Sequence, residues 1–363
     1  MGKKFIIAGG GTGGHIFPAI AIANALKQRL PDAEFLFVGA KGKMEMEKVP
    51  QAGFKIEGLD IAGFNRSSLI KNIGLPFKLI KSFFQVKKII NNFRPDAVIG
   101  VGGYSSFPVL RSAQAKGIPT FIHESNAFAG KSNMLLGKKA TKVFVATSGM
   151  ERFFPAGKIA VTGNPVRKAI TEMRVSKEDA LAFFGLDISK TTILSIGGSL
   201  GANSINQAIK TGLDKILDND LQLIWQTGKS FATEAVTATN NRTGIWTNEF
   251  IKEMDKAYAA ADIVISRSGA MSVAELCVAG KPTVFVPYPF AAEDHQTFNA
   301  KVLVDEQAGK MIKDSDASAL LVDSAITLAK SKKMQETFGT NISKHAVRNA
   351  DEVVADEIIK SLT

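Results

Sequence analysis

One local pattern occurs twice in this chain, and it limits the fold more than any other feature. An apolar run, a glycine turn and a helical pattern follow one another in KKFIIAGGGTGG near residue 10, and again in TTILSIGGSLGAN near residue 197. A doubly wound parallel sheet begins in this way. Two such beginnings in 363 residues predict an α/β protein with two Rossmann-like doubly wound domains facing a cleft, where ligands bind at the carboxyl ends of both sheets.

The rest of the chain alternates short apolar runs with helical patterns, for example the predicted helices over 16–30 and 204–217. This rhythm is typical of parallel strands buried on both faces. Gly163 and Pro165 interrupt it, which predicts domains over 1–165 and 166–342, and a final helix in 343–363 that packs back on the first domain. The predicted strands are 5–8, 35–38, 97–101, 120–123, 142–146, 192–196, 221–226, 263–266 and 283–286.

Charge narrows the class of partner. The formal net charge of +11 suits an anionic partner, such as nucleic acid, an acidic membrane surface or a phosphorylated substrate. Nucleic acid is not expected, because no interleaved aromatic and basic pattern or known binding module is present. No run of about 18 apolar residues occurs and a strand pattern directly follows Met1, so we expect neither a membrane span nor a signal peptide. Cys277, the single cysteine, is expected to be a buried hydrophobe rather than a catalytic thiol.

Glycine turns that lead into helices offer backbone N–H groups and a positive dipole end to an anion. Three follow predicted strands, at 9–14, 100–106 and 197–203, and Ser199 in the third adds a hydroxyl for a phosphate oxygen. The first also matches G-x-G-x-x-G, but the second predicted strand ends without the acidic residue that would hold a dinucleotide ribose. An NADP-linked oxidoreductase, with Lys41 on the 2′-phosphate, remains one alternative, and a tight packing turn is another.

The segment 250–300 contains the most informative group of polar residues. Its predicted strand DIVIS leads through RSGA into a helix, whose start near 270–272 suits a phosphate. Glu275 lies about one turn inside this helix, where a carboxylate can accept hydrogen bonds from both hydroxyls of a ribose; a solvated helix glutamate is the alternative. Side chains suited to a pyrophosphate or to sugar hydroxyls are Arg167, Arg267, Gln296 and Asn299.

These stretches together resemble the MurG family of GT-B glycosyltransferases, which transfer N-acetylglucosamine from UDP-N-acetylglucosamine to lipid I and so make lipid II for peptidoglycan. The resemblance runs in order from residue 9 to 300, and departs from the family at Leu200 and at His295, where glutamine is found in other members. The matching stretches are GGGTGGHIFPA, GVGGYSSFP, IHESNAFAGKSN, TGNPVR, GGSLGA, FIKEM, RSGAMSVAEL and DHQTFNA.

The resemblance implies an inverting transferase that uses neither a metal nor another cofactor. It also implies a peripheral location on the cytoplasmic face of the bacterial membrane, with further partners among the proteins of cell-wall synthesis. A UDP-N-acetylglucosamine 2-epimerase of the same fold is the main alternative; it should carry extra acidic catalytic residues and no membrane-binding stripe. A membrane-bound scaffold without catalysis is a further alternative.

Roles follow for individual residues. His15 is the candidate general base, because inversion requires the acceptor hydroxyl to lose its proton as it attacks, and a helix N-terminus keeps an imidazole neutral. Glu124 is the second candidate base or an orienting group, while a histidine that only caps the loop is the alternative for His15. The expected acceptor contacts are Gly103, Tyr104 and Ser105. The expected contacts to the nucleotide sugar are Thr12, Gly13, Gly14, Asn126, Arg167, Ser199, Ile251, Arg267, Ala270, Met271, Ser272, Val273, Ala274, Glu275 and Gln296.

The segment 67–93 combines apolar and basic residues at helical spacing. One predicted face, which includes Val86 and Ile90, belongs to the core. A second apolar stripe with lysines around it suits docking on an anionic membrane surface, and contact with another helix is the alternative. The residues expected to meet the membrane are Ile73, Phe77, Ile80, Lys81, Phe84 and Lys88.

Overall fold

The computed structural model describes residues 2–63, 74–198, 200–240 and 242–362. The chain divides into two compact units, Met1–Val166 with Asn349–Thr363, and Arg167–Arg348. Sequence reasoning places the two boundaries at 165 and 342. The second boundary lies later in the structure because the helix that ends at Ser343 still packs against two helices of the second unit.

The first unit contains, within the described residues, a sheet of seven parallel strands in the order β3-β2-β1-β4-β5-β6-β7. Its strands are β1 (Lys4–Ala8), β2 (Glu34–Ala40), β3 (Lys55–Leu59), β4 (Ala97–Gly100), β5 (Thr120–Glu124), β6 (Lys142–Val145) and β7 (Ile159–Val161). Its helices are α1 (Gly13–Arg29), α2 (Glu45–Gln51), α3 (Leu75–Phe93), α4 (Ser106–Ala115), α5 (Lys131–Gly137) and α16 (Ala350–Lys360).

The second unit contains, in its described part, a sheet of six parallel strands in the order β10-β9-β8-β11-β12-β13. Its strands are β8 (Thr191–Ile196), β9 (Leu221–Gln226), β10 (Ile245–Asn248), β11 (Ile263–Ser266), β12 (Thr283–Phe285) and β13 (Lys310–Met311). Its helices are α6 (Lys168–Thr171), α7 (Lys177–Phe184), α8 (Asn203–Thr211), α9 (Leu213–Asp218), α10 (Ala232–Thr239), α11 (Met254–Ala260), α12 (Ala270–Ala279), α13 (His295–Asp305), α14 (Ala317–Lys330) and α15 (Lys332–Ser343).

Each sheet reverses its strand order at one place, between β1 and β4 in the first unit and between β8 and β11 in the second. Open α/β sheets bind ligands outside the carboxyl ends of the strands at such switch points. The loops GGGTGG and GVGGYSS follow β1 and β4, while GGSLGA and RSGA follow β8 and β11. The topology therefore brings the sequence-predicted loops together in pairs, one pair in each unit.

The inner strands of each sheet are buried and mostly apolar, as in FIIA of β1 and LQLIW of β9. Apolar side chains from the flanking helices complete the cores on the sheet faces. The sequence prediction misses β3, β7, β10 and β13, which are the edge strands of the two sheets. Their residues are largely half-buried or exposed, so they lack the continuous apolar run by which the other strands were found.

The helix predicted over 204–217 is wrong in one respect, because the structure has two helices there, α8 and α9, which meet at Gly212. A Cβ on Gly212 would lie 2.7 Å from the side chain of Val322 in α14. The absence of a side chain thus lets the junction of α8 and α9 approach α14 closely.

The last helix, α16, packs against α1 in the first unit. Its residues Val354, Ala355 and Ile358 are buried in the core between the helix and the sheet. Ion pairs join Arg29 to Asp356 and Lys142 to Glu357 at the edge of this contact. The chain therefore leaves the first unit after Val166 and returns to it for its final helix.

Candidate functional site

The glycine loops after β1 and β4 contact each other at the switch point of the first sheet. A Cβ on Gly103 would lie 2.5 Å from the backbone oxygen of Gly10, and a Cβ on Gly102 would lie 2.7 Å from Nδ1 of His15. Gly102 and Gly103 also have φ angles of +97° and +83°, which other residues rarely adopt. Glycines in the loop after β4 thus bring its backbone against the loop after β1 and against the His15 ring.

His15 lies in the first turn of α1, with Thr12 as the N-cap residue and no acidic side chain in that turn. Its half-buried ring faces the glycine loop after β4, as described above. The helix dipole at this position disfavours the imidazolium form. An imidazole at a helix N-terminus beside a glycine loop has the chemistry of a general base when its ring is neutral. Thr12, Gly13 and Gly14 form the start of the same helix, and Thr12 is exposed.

Tyr104 covers the first glycine loop. The edge of its ring would lie 3.6 Å from a Cβ on Gly11 and 2.9 Å from one on Gly63. Burial, and then the nearby Glu45 carboxylate, raise the pKa of Tyr104, which keeps its hydroxyl protonated as a hydrogen-bond donor. Ser105 is buried next to it, so the structure makes Tyr104 the more accessible of these two expected acceptor contacts.

Of the two roles predicted for Glu124, base or orienting group, its hydrogen bonds favour the orienting role. Its Oε1 accepts from the backbone and side-chain nitrogens of Asn126 at 3.1 and 3.2 Å. Its Oε2 accepts from the backbone of Gly130 at 3.0 Å and from Nδ2 of Asn133 at 2.8 Å. This buried carboxylate accepts four hydrogen bonds, so it organises the loop after β5 and orients Asn126.

His123 lies beneath this loop and is fully buried. Its Nε2 lies 3.2 Å from the oxygen of Gly163, and its Nδ1 lies 3.3 Å from Oγ of Ser125. Burial lowers the pKa of His123, so the ring is neutral near pH 7. It therefore packs as a neutral structural histidine.

In the second unit, Arg167 and Glu275 form an ion pair that the sequence does not predict. Arg167 Nε lies 2.8 Å from Oε1 of Glu275, and Nη2 lies 3.0 Å from Oε2. The Tyr258 hydroxyl donates to the same Oε2 at 3.2 Å. Burial raises the pKa of Tyr258 well above 10, so this hydroxyl stays protonated. Sequence reasoning finds the arginine and the glutamate but misses Tyr258.

The helix α12 begins at Ala270, after the N-cap residue Gly269, which has no side chain to cap the first turn. Gln296, in the first turn of α13, has its Nε2 3.8 Å from the position of a Cβ on Gly269 and accepts from the backbone of Tyr288 through Oε1. The residues Ala270, Met271, Ser272, Val273 and Ala274 are half-buried along the first turns. This helix start and the Gln296 amide together have the chemistry to hold a phosphate and a sugar hydroxyl.

Gln226, at the end of β9, connects two of the predicted nucleotide-binding segments, and sequence reasoning did not find it. Its Nε2 donates to the backbone oxygen of Gly198 at 2.9 Å, and its Oε1 accepts from the backbone of Ile251 at 3.2 Å. The N–H of Ile251 is therefore occupied within the protein, so a uracil contact through this N–H is not supported. Ser199, the expected phosphate contact in this loop, lies outside the described residues.

Arg267 does not present its guanidinium to a ligand, which corrects its predicted role at a pyrophosphate. Its Nη1 donates to the backbone oxygens of Val286 and Pro287 at 3.0 Å and pairs with Asp314, while Nη2 donates to Ser204 at 3.0 Å. Its side chain is about nine-tenths buried. Arg267 thus joins the loop after β11 to the loop after β12.

Asn299, which the sequence suggests for sugar hydroxyls, is also buried. Its Nδ2 donates to the backbone oxygen of Ser268 at 3.1 Å. Asn299 thus supports the loop before α12. The Ser268 hydroxyl supports the same loop by donating to the backbone oxygen of Gln296 at 2.8 Å.

Local contacts also bear on the sequence hypotheses for Lys41 and Cys277. Lys41, which would meet the 2′-phosphate of NADP, pairs instead with Asp60 at 2.8 Å. Cys277 is buried in α12, and burial raises its pKa to about 12, so it is not a nucleophile near neutral pH. The expectation that Cys277 acts as a buried hydrophobe is confirmed.

The helix α3 has one buried and one exposed apolar face. Val86, Ile89 and Ile90 are buried, and the Phe83 ring meets Phe107 of α4 edge-on, with centroids 6.4 Å apart. On the other face, Phe77, Ile80 and Phe84 are 77%, 56% and 71% exposed; we call these three residues the α3 stripe. Ile73 lies outside the described residues.

Charges accompany the α3 stripe. Lys78, Lys81, Lys87 and Lys88 are exposed on α3, which carries no acidic residue. Asp60 pairs with Lys81 at 3.0 Å. The alternative from the sequence, a contact of Ile80 and Phe84 with another helix, is not supported within the described residues, where both side chains are mostly exposed. Within the described residues, no helix has the length and apolar character needed to cross a bilayer.

Comparison with known proteins agrees with this arrangement. The glycosyltransferase family 28 N-terminal domain matches residues 5–145, and the C-terminal domain of that family matches residues 192–354. A UDP-N-acetylglucosamine--N-acetylmuramyl-(pentapeptide) pyrophosphoryl-undecaprenol N-acetylglucosamine transferase from Parabacteroides distasonis is 51% identical over 359 residues, which are 98% of each chain.

Solved structures give the same result for the fold. The crystal structure of Acinetobacter baumannii MurG superimposes with a TM-score of 0.78 and 31% identity, covering 99% of both chains. A UDP-GlcNAc 2-epimerase from Neisseria meningitidis superimposes with a TM-score of 0.71, covering 98% of this chain and all of the other, but is only 14% identical. The similarity to the epimerase therefore extends to the fold alone.

Proposed function

Because this chain belongs to the MurG family, within glycosyltransferase family 28, we propose that it transfers N-acetylglucosamine from UDP-N-acetylglucosamine to lipid I. The C4 hydroxyl of the muramoyl sugar is the acceptor, and lipid II for peptidoglycan synthesis is the product. The observation that carries this proposal is the 51% identity, over nearly the whole length, to a transferase named for this reaction.

The second unit supplies the groups that hold the UDP part of the donor. The N-terminus of α12 is suited to the diphosphate, because Gly269 leaves the first turn without a side-chain cap. Glu275 is suited to the ribose hydroxyls and Gln296 to the sugar, since a carboxylate accepts and a primary amide both donates and accepts. Gln226 holds the loop after β8 and the segment at Ile251 at a fixed separation.

The first unit supplies the base. The C4 hydroxyl attacks the anomeric carbon, the bond from that carbon to the diphosphate oxygen breaks, and the configuration inverts. The His15 imidazole takes the proton that the hydroxyl loses, while the electron pair of the broken bond stays on UDP. Asn126, which Glu124 orients, and Tyr104 lie on the neighbouring loops, and their polar groups are suited to sugar or pyrophosphate oxygens.

The leaving UDP gains negative charge as the bond breaks. The positive end of α12 stabilises such a charge without a bound ion, and Arg167 pairs with Glu275 of the same helix. We therefore propose that the reaction needs no metal and no other cofactor.

The proposed acceptor is a membrane lipid, which gives the exposed α3 stripe and its lysines a function at the membrane surface. Phe77, Ile80 and Phe84 offer apolar area to the boundary of the acyl chains, and the surrounding lysines offer charge to anionic headgroups. We propose that α3 holds the enzyme peripherally on the cytoplasmic face of the membrane, where other proteins of cell-wall synthesis would meet it.

An epimerase reaction is less well supported. It would need acidic groups able to exchange protons near the sugar. Glu45 and Glu124, two buried carboxylates of the first unit, instead accept hydrogen bonds through both oxygens.

A transfer assay tests the proposed function. The purified protein is mixed with radiolabelled UDP-N-acetylglucosamine and a short-chain lipid I analogue, with and without EDTA, and the label in the lipid phase is measured. We expect label to enter the lipid phase at the same rate in both samples. Binding of UDP without any transfer would contradict the transferase assignment, and loss of transfer in EDTA would contradict the metal-free mechanism.

A further inference from the structure

Glu45 is a buried acidic residue that the mechanism above does not use. It is the first residue of α2, and only 1% of its surface is exposed. Its Oε1 accepts from the backbone N–H of Ala40, at the end of β2, at 2.9 Å. Its Oε2 accepts from the backbone N–H of Gly11, in the first glycine loop, also at 2.9 Å. One carboxylate therefore ties the loop after β1 to the neighbouring strand.

The glycines around this carboxylate leave no room for another side chain. A Cβ on Gly10 would lie 2.2 Å from Oε1 of Glu45, and a Cβ on Gly39 would lie 2.5 Å from its Cγ. Gly10 also has a φ of +150°. Glycine is therefore required at both positions for the Glu45 carboxylate to reach the loop.

From Glu45 the contacts continue to the candidate base. Gly10 touches Gly103 of the second glycine loop, and the next residue of that loop toward the N-terminus, Gly102, lies against the ring of His15. His15 itself lies four residues after the anchored Gly11, in the first turn of α1. The His15 ring therefore lies between the two loops, and Glu45 anchors the first of them, which the second loop contacts at Gly10.

We propose that Glu45 is a positioning residue for His15: its carboxylate fixes the first glycine loop, and through it the ring that takes the acceptor proton. This inference rests on the proposed function. Glu45 touches neither substrate nor reacting atoms, so it acts only by holding the loop in place. A misplacement of about 1 Å in a catalytic group costs up to about a hundredfold in rate.

The variant Glu45→Gln tests the inference because it keeps the shape of the side chain. Glutamine has an NH₂ group where glutamate has its second oxygen. An NH₂ group donates and cannot accept, so one of the two backbone N–H groups loses its partner. We expect kcat to fall about tenfold and the acceptor KM to rise, while the KM for UDP-N-acetylglucosamine stays within twofold. Glu47→Gln, an exposed change two residues away on the same helix, is the matched control and should leave all three values unchanged.

A double-mutant cycle separates positioning from a general loss of structure. If Glu45 acts through His15, Glu45→Gln should change kcat by less than about twofold in a His15→Ala background. The same fall in both backgrounds, or an unchanged kcat in the single variant, would overturn the proposal. Glu45→Asp serves if the glutamine variant does not fold, since it keeps the charge but is too short to reach both amides, and the same cycle then applies.

Amide hydrogen exchange gives a readout that does not need activity. Exchange at Gly11 and Ala40 should become faster in Glu45→Gln than in the wild type, while peptides from the second unit stay unchanged. Unchanged exchange at both amides would refute the anchor. Failure of the wild type to transfer N-acetylglucosamine would instead refute the proposed function, and the exchange result would still decide whether Glu45 anchors the loop.

Discussion

The Arg167 guanidinium and the Glu275 carboxylate meet at two points, Nε to Oε1 at 2.8 Å and Nη2 to Oε2 at 3.0 Å. Tyr258 adds a third hydrogen bond to this carboxylate. Both oxygens of Glu275 therefore have partners within the second unit. Ribose hydroxyls bound by Glu275 must share the carboxylate with Arg167 or replace it. A replaced Arg167 would then be available to the diphosphate, so one ion pair connects the two parts of the nucleotide.

Substitution of Glu275 should therefore remove selectivity for the ribose. Hydrogen bonds to a charged group contribute about 1.5–3 kcal/mol, which is about ten- to a hundredfold in affinity. We expect the wild type to bind UDP at least tenfold more tightly than 2′-deoxy-UDP by calorimetry, and Glu275→Ala to bind both equally. Glu234→Ala, at a partly exposed glutamate of the same unit, is the control and should keep the preference. A preference that survives in Glu275→Ala would show that the ribose is bound elsewhere.

Replacement of His15 should reduce the chemical step alone. General base catalysis contributes about 10²–10⁴-fold, so kcat of His15→Ala should fall by this factor while UDP affinity is unchanged. In the proposed mechanism the nucleotide is bound by the other unit, which the substitution does not touch. His345→Ala is a suitable control, because His345 pairs with Glu306 at the surface of the second unit. Normal turnover by His15→Ala at saturating substrate would remove the base assignment.

The sequence predicts the two domains and the central strands because buried parallel strands are apolar on both faces. It does not predict edge strands such as β3, in which Lys55 and Glu57 alternate with apolar residues. It also predicts one helix where Gly212 separates two, since the reason for that glycine is Val322, which lies 110 residues later in the chain. Local patterns thus identify elements whose burial is uniform, and miss those that depend on distant neighbours.

The same distinction holds for the candidate site. The loops and His15 are visible in the sequence because glycines after a strand have a local physical meaning. The hydrogen-bond partners of individual polar groups are not visible in the sequence. Arg267 and Arg167 look alike there, yet Arg267 donates to the backbone oxygens of Val286 and Pro287, whereas Arg167 pairs with Glu275. Glu45 could not be found either, because its partners Gly11 and Ala40 meet it only after β1 and β2 have paired.

Removal of the α3 stripe should release the protein from membranes without unfolding it. Phe77, Ile80 and Phe84 are mostly exposed, so their replacement by serine costs little core packing. We expect the triple serine variant to lose most of its co-sedimentation with vesicles that contain phosphatidylglycerol, and to keep its thermal unfolding midpoint. Leu135→Ser, at an exposed apolar residue of the same unit, should still bind. Undiminished binding of the triple variant would mean that the membrane site lies elsewhere on the chain.

Lys281 should make stability depend on pH in the alkaline range. Burial lowers its pKa to about 8, despite the attraction of Asp262, and its Nζ donates to the oxygen of Ala261 at 2.7 Å. Between about pH 8 and the ordinary value of 10.5, the unfolded chain holds a proton at this lysine that the folded chain has lost. Since stability rises with pH wherever the unfolded state binds more protons, the contribution of Lys281 to the free energy of unfolding should rise over this range.

The comparison with Lys281→Met isolates this effect, because every other titrating group is shared by the two proteins. Urea unfolding, followed by the fluorescence of Trp225 and Trp246, gives the free energy of unfolding of each at pH 7.5, 9 and 10. We expect the wild type to gain stability relative to the methionine variant at each step upward in pH. A difference that stays constant from pH 7.5 to 10 would mean that folding does not displace the proton of Lys281, and that the ammonium group is accommodated by Asp262 and the Ala261 oxygen.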